Sequence, residues 1–174
     1  APITIDMALT RACNYACGFC YAMLQENDRQ KITTQVMYDF LEDCAAIGVK
    51  GISLVSDGES TLSPAFIPTI QRGYELGISM SSGTNAFLLN KNKLKDILPY
   101  LTYLRVNFSA GTRDRYGEIM GVKPEWFDRV CQNIRDMVAI KKRDNLPVTI
   151  GMQMVLMPQD GDQIIPFAKL GKDL

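Results

Sequence analysis

Cys13, Cys17 and Cys20 stand in the run Leu-Thr-Arg-Ala-Cys-Asn-Tyr-Ala-Cys-Gly-Phe-Cys-Tyr, with three and then two residues between them, directly after an apolar, strand-like segment. Three soft sulfur ligands on one tight loop can hold three irons of a cubic iron-sulfur cluster and leave the fourth iron without a protein ligand. An iron left open in this way can bind a substrate. A structural zinc ion is normally enclosed by four Cys or His ligands, whereas this chain has no histidine and only two further cysteines, Cys44 and Cys131, both distant in sequence. The spacing therefore favours an open cluster over zinc or a plain cysteine-rich turn.

The elements that must position such a loop are legible as short runs of Val, Ile and Leu alternating with amphipathic stretches. Strands are predicted over Ile3–Leu9, Gly51–Val55, Ile78–Ser82, Tyr103–Phe108 and Val148–Leu156. Between the first two, Val36, Met37, Phe40, Leu41, Cys44 and Ile47 form a helical stripe closed by Gly48. A second helix starts at Ser63 as N-cap with Pro64 in its first turn and Gly77 past its end, and a shorter one uses Leu94, Ile97 and Leu98 before Pro99. A fourth begins near Pro124 and buries Phe127, Val130, Cys131, Ile134 and Val138, and Ile164, Phe167 and Ala168 mark a fifth. Cys44 and Cys131 lie on apolar helix faces and read as core, as Met152 and Met154 do on strand periodicity. The charged stretches from Ala22 to Thr33 and from Gly111 to Lys123 read as loops and candidate lids, the second with Arg113, Arg115 and Tyr116.

Strict alternation of strands and helices calls for right-handed crossovers and a parallel α/β sheet, either curled into a barrel or open and doubly wound. Periodicity leaves that choice open. The strands, however, are not continuously apolar, as parallel strands covered on both faces would be. Asp6, Ser53, Arg105, Asn107 and Gln153 alternate with apolar neighbours, and period two sets each polar set on one face. With the other face packed on helices, these residues point into a polar lumen that could hold a ligand. A satisfied internal network, or edge strands open to water, is the alternative.

The chain of 174 residues, 47% of them hydrophobic, is enough for one domain with a substantial core. Lys plus Arg equals Asp plus Glu at 19 each, so no basic footprint for nucleic acid is present, and small-molecule or local peptide chemistry fits better. No apolar stretch approaches a membrane span, and the first residues lack the regions of a signal peptide. With five cysteines, three of them clustered, the expectation is a cytoplasmic protein in a reducing compartment.

The cysteine loop resembles that of the radical S-adenosylmethionine (radical SAM) superfamily, whose members carry three cysteines at this spacing with an aromatic residue before the third, here Phe19. Later segments are similar to the family's cofactor stations. Ser56-Asp57-Gly58-Glu59-Ser60 resembles the Gly-Gly-Glu-Pro station that receives the amino group of SAM, with Gly58 exposing backbone and Glu59 as acidic contact. Asp57 and Ser60 depart from that pattern, and by itself the segment is an ordinary polar turn. Ser81 to Ala86 resembles the Thr-Asn-Gly turn, which would let Thr84 and Asn85 reach cofactor or substrate; by itself it is a strand-to-helix loop. Arg105 to Ser109 is similar to the fourth-strand segment whose serine contacts SAM, a role that falls to Ser109 with Asn107 beside it. Tyr21 would pack near the adenine or brace the loop.

The resemblance implies a partial (β/α) barrel with chemistry at the C-terminal strand ends, usually of six strand-helix units, of which five are visible in residues 1–174. A trimmed piece and an unusually small member both accommodate that count. It further implies a 4Fe-4S cluster that cleaves SAM to a 5'-deoxyadenosyl radical, which takes hydrogen from a polar small molecule or peptide. Asp6, Thr84, Arg105 and Gln153 are the substrate-binding candidates. A reducing partner such as a flavodoxin or ferredoxin is implied as well. The alternatives are an activase that places a glycyl radical on a partner protein and a structural metal-binding module without catalysis.

Overall fold

The computed structural model describes residues 2–24, 30–55 and 57–174. The apolar runs become five parallel strands, β1 (Thr4–Asp6), β2 (Gly51–Leu54), β3 (Ser79–Thr84), β4 (Leu101–Asn107) and β5 (Thr149–Gln153), in one sheet of order β1-β2-β3-β4-β5. The helices are α1 (Thr34–Ala46), α2 (Phe66–Glu75), α3 (Lys91–Ile97), α4 (Arg113–Met120), α5 (Trp126–Arg143) and α6 (Ile164–Asp173). Each crossover steps to the next strand in the same direction, and right-handed crossovers of that kind all fall on one side of the sheet. A doubly wound sheet needs a reversal of strand order, and this sheet has none. The chain therefore folds as an open, partial (β/α) barrel.

Burial follows the same division. Ile52, Leu54, Met80, Leu104 and Val106 are at most 1% exposed on the helix-covered face and share one core cluster with Leu41, Ile70, Leu94, Val130 and Met137 of the helices. Cys44 and Cys131 belong to this core and are free thiols. Thr33 caps α1 by accepting the Val36 N–H, and Asn90 caps α3 through the N–H groups of Asn92 and Lys93. The second helix begins at Phe66, later than expected, because a short 3-10 turn at Ser60–Leu62 comes first and the Ser63 hydroxyl is taken by the Ala65 N–H.

The stretch from Gly111 to Lys123 is a correction. It is not a lid loop but contains α4, whose Tyr116, Ile119 and Met120 are buried at helical spacing. Its arginines are engaged: Arg113 faces Glu125 and Asp128, and Arg115 faces Glu118, Asp160 and Asp162. Of the other expected lid, residues 25–29 lie outside the described residues. Among the described residues no helix is long and apolar enough to cross a membrane.

Candidate functional site

The cysteine loop leaves the C-terminal end of β1 and is held from three sides. Its first residues pair with the segment before α1, through the Ile32 N–H to the Leu9 carbonyl at 3.0 Å and the antiparallel bridge of Thr10 with Lys31. Its middle docks on the end of α4, where the Gly18 N–H donates to the Ile119 carbonyl at 3.0 Å. Gly121 ends α4 in the left-handed region at φ 62°, and a Cβ there would lie 2.1 Å from the Ala16 carbonyl oxygen. Only glycine permits both the turn and the approach. Tyr15 anchors the loop from within, 6% exposed, against Trp126 with ring centroids 5.4 Å apart and with its hydroxyl 2.8 Å from that of Tyr116. Burial pushes both phenols well above the usual tyrosine range.

Cys13 is exposed, while Cys17 and Cys20 are half-buried. Burial first, and then the neighbouring Cys13 and Cys20, push the Cys17 thiol up to about 12. The thiols thus feel one another's charge, yet among the described residues no three Cys, His, Asp or Glu side chains converge closely enough for a single metal ion. A cubic cluster suits this donor set better than a lone ion, since each iron takes one thiolate and the sulfurs stay apart. The residues present fit the group.

Next to the loop, Glu59 is 3% exposed and accepts four hydrogen bonds, three on one carboxylate oxygen and one on the other. Its Oε1 accepts from the Thr61 N–H at 3.2 Å, the Thr61 hydroxyl at 2.7 Å and the Thr84 hydroxyl at 2.7 Å, and its Oε2 accepts from the Asn85 N–H at 2.7 Å. Its own N–H donates to the Ala12 carbonyl at 2.8 Å. Gly58, at φ 76°, sits where a Cβ would lie 2.4 Å from the Thr10 carbonyl oxygen. The station after β2 is therefore clamped to the start of the cysteine loop and to the end of β3. Asn85 extends the clamp by donating from Nδ2 to Asn14 Oδ1 at 2.9 Å. On the outer side the Tyr21 hydroxyl donates to Asp57 at 2.6 Å, with Arg11 also 3.7 Å from Asp57. Tyr21 is 59% exposed there, a bracing position. Ser56 lies outside the described residues.

The inner face of the sheet is polar from edge to edge. Asp6, Ser53, Ser81, Tyr103 and Thr149 share one row, and Gly83, Arg105 and Gly151 the next, with Asn107 and Gln153 paired beyond. The flanking glycines leave room: a Cβ on Gly83 would lie 3.1 Å from an Arg105 guanidinium nitrogen, and one on Gly151 would lie 2.6 Å from the Tyr103 hydroxyl. Arg105 Nε and Gln153 Oε1 are both shielded from solvent without a hydrogen-bond partner among the described residues. Asp6 does not neutralise Arg105, because β1 and β4 are three steps apart, roughly 14 Å along the sheet.

The expected site residues thus separate into groups. Cys13, Cys17, Cys20, Phe19, Gly58 and Glu59 come together at the C-terminal strand ends, while Asp6, Arg105, Asn107 and Gln153 share the inner face. Thr84 is on the opposite face, 1% exposed, with its hydroxyl given to Glu59 and accepting the Ala86 N–H. Ser109 is fully buried at φ 52°, its Oγ accepting the Val155 N–H at 3.0 Å, so it ties the ends of β4 and β5. Asn14 and Tyr103 went unnoticed in the sequence. Tyr103 could have been found by period two, whereas nothing local singles out Asn14.

A family model described as the radical SAM superfamily matches residues 7–170. The chain is 25% identical over 171 residues to a probable GTP 3',8-cyclase of Saccharolobus solfataricus, covering 98% of this chain and 53% of that protein. It is 30% identical over 125 residues to an S-adenosylmethionine-dependent nucleotide dehydratase of Pseudoalteromonas ulvae, covering 63% of this chain and 41% of that protein. The chain spans about half the length, or less, of these curated relatives. Among solved structures, Streptococcus suis SuiB bound to the precursor peptide SuiA superposes with a TM-score of 0.75 at 21% identity, covering 97% of this chain and 36% of SuiB.

Proposed function

This chain belongs to the radical SAM superfamily, and on that footing we propose that residues 1–174 are the core domain of an enzyme that takes a hydrogen atom from a polar, anionic small molecule held on the inner face of the sheet. When bound, the family's 4Fe-4S cluster supplies one electron that cleaves SAM to a 5'-deoxyadenosyl radical. Cys13, Cys17 and Cys20 would hold the cluster, each through one thiolate. Gly58 and Glu59 form the adjoining station for SAM. Three donors already occupy Glu59 Oε1, so Oε2, with one donor, is the oxygen open to an ammonium group. Phe19, half-buried, packs against the core and so anchors the loop between Cys17 and Cys20. Ser109 acts through the position of the strand ends. A one-electron donor protein, such as a flavodoxin or ferredoxin, is the expected partner.

The observation that carries the substrate reading is the unpartnered pair on the inner face, Arg105 Nε and Gln153 Oε1. A half-buried guanidinium whose Nε is shielded and unpartnered, with no ion pair among the described residues, calls for an anionic or carbonyl partner, and an amide oxygen beside it calls for a donor. Arg105 would orient the anionic end of the substrate, Gln153 and Asn107 its polar body, and Asp6 a donor at the far edge. A nucleotide has all of these groups. The names of the cyclase and dehydratase relatives support that class. SuiB, by contrast, resembles this chain at the level of fold.

The test is anaerobic reconstitution, reduction and assay of 5'-deoxyadenosine with and without nucleoside triphosphates or peptides. A nucleotide should accelerate SAM cleavage, and Arg105→Leu should keep iron and slow uncoupled cleavage while losing that acceleration, because the hydrogen is no longer positioned. A stable Arg105→Leu protein with normal coupled turnover, or acceleration by peptides alone, would overturn the reading.

A further inference from the structure

The amide orientation at the cysteine loop is dictated by the backbone. The Phe87 N–H can only donate, so the side-chain atom of Asn85 that it meets at 3.1 Å is an oxygen. The other end of Asn85 is then its NH2 group, which donates at 2.9 Å to Asn14, and the Asn14 atom it reaches must be Oδ1. Asn85 is itself held by its N–H on Glu59. The Asn14 amide is therefore unable to flip, and its Nδ2 points away from Asn85. That nitrogen is shielded from solvent and has no hydrogen-bond partner among the described residues. It lies one residue after Cys13 and on the clamp that joins the cysteine loop to the Glu59 station.

A buried N–H2 without an acceptor is costly, and such groups normally find one. We propose that the acceptor arrives with the cofactors, and that Asn14 Nδ2 donates a hydrogen bond to an electron-rich atom bound at the loop, either a sulfur of the cluster or the carboxylate of SAM. The proposal rests on the assignment of Cys13, Cys17 and Cys20 as the cluster ligands. Asn14 is then a positioning residue for the cofactors, held in the donating orientation by Phe87, Asn85 and Glu59. A donor aimed at cluster sulfur stabilises the more negative, reduced state and raises the potential. A donor aimed at the carboxylate strengthens SAM binding and leaves the potential of the SAM-free cluster alone.

Asn14→Asp tests this. The substitution is nearly isosteric, keeps an oxygen for Asn85 Nδ2, and replaces the donor by an anionic acceptor. Iron and sulfide content, melting temperature, the midpoint potential of the SAM-free cluster and SAM affinity by equilibrium dialysis are measured beside Asn85→Ala, which removes the tie but keeps the donor. A negative shift in potential without SAM supports the cluster sulfur. An unchanged potential with SAM binding weakened about tenfold or more supports the carboxylate. A folded Asn14→Asp protein that takes up no iron, while Asn85→Ala does, also supports a contact to the cluster. Full iron content with wild-type potential and SAM affinity overturns the proposal, and Asn14→Ala is measured in the same way if Asn14→Asp does not fold. Failure of the wild-type protein to bind iron would instead refute the cysteine assignment.

Discussion

Replacing Glu59 by Gln should destabilise the protein before any cofactor is added. Glu59 is 3% exposed, and its carboxylate receives two donors from Thr61, one from Thr84 and one from the Asn85 N–H. An amide in its place must aim NH2 at one side of that cluster. Facing Asn85 it opposes one N–H; facing the threonines it opposes a group of donors, so the first orientation is the cheaper. It still loses a charge-assisted bond of about 1.5–3 kcal/mol and strands a buried N–H at about 1–3 kcal/mol, together about 2.5–6 kcal/mol. At about 2–4 °C per kcal/mol for a chain of this size, the cofactor-free protein should melt roughly 5–24 °C lower. Urea titration should show the same loss with an unchanged m-value. Asp57→Asn is the control, because its partners Tyr21 and Arg11 are more exposed and it should cost under about 1 kcal/mol. If Glu59→Gln melts with the wild type and only SAM affinity falls, the carboxylate is a ligand contact and not a clamp.

Cys17→Ala should lose the cluster, seen as lost iron and visible absorption, since one iron is deprived of its protein ligand; Cys44→Ala, in the core of α1, should load iron normally. Full iron loading with SAM cleavage in Cys17→Ala would refute the assignment. Gly121→Ala and Gly77→Ala separate strain from contact, since both glycines have positive φ but only Gly121 has a neighbour, the Ala16 carbonyl, in the path of a Cβ. Gly77→Ala should cost about 1–2 kcal/mol of backbone strain, whereas Gly121→Ala should cost more and also lower iron content per chain by displacing the cysteine loop. Equal iron content in the two variants would show that the loop does not depend on α4.

The cysteine triplet, the five strands, the core roles of Cys44 and Cys131 and the polar inner face were legible in the sequence because each depends on spacing along a single element. Ligand spacing in a loop, period two in a strand and the helical stripe are local properties, carried by neighbours in the chain. The choice of a curled sheet over a doubly wound one was not local; it followed from strand order. Nor was α4, eight residues with only a short apolar face, whose helix is recognisable from Tyr116 against the core and Gly121 against the cysteine loop. Glu59 read as a ligand contact because its sequence neighbours leave a carboxylate free, yet two of its donors come from Thr84 and Asn85, which β2–β3 pairing carries to it. Thr84 was expected to face the ligand and instead faces Glu59, and Asn14 became visible only when Asn85, 71 residues away, fixed its amide. Hydrogen-bond direction belongs to pairs of residues that register and crossover bring together, so it has no signature along the chain until tertiary structure chooses the partners.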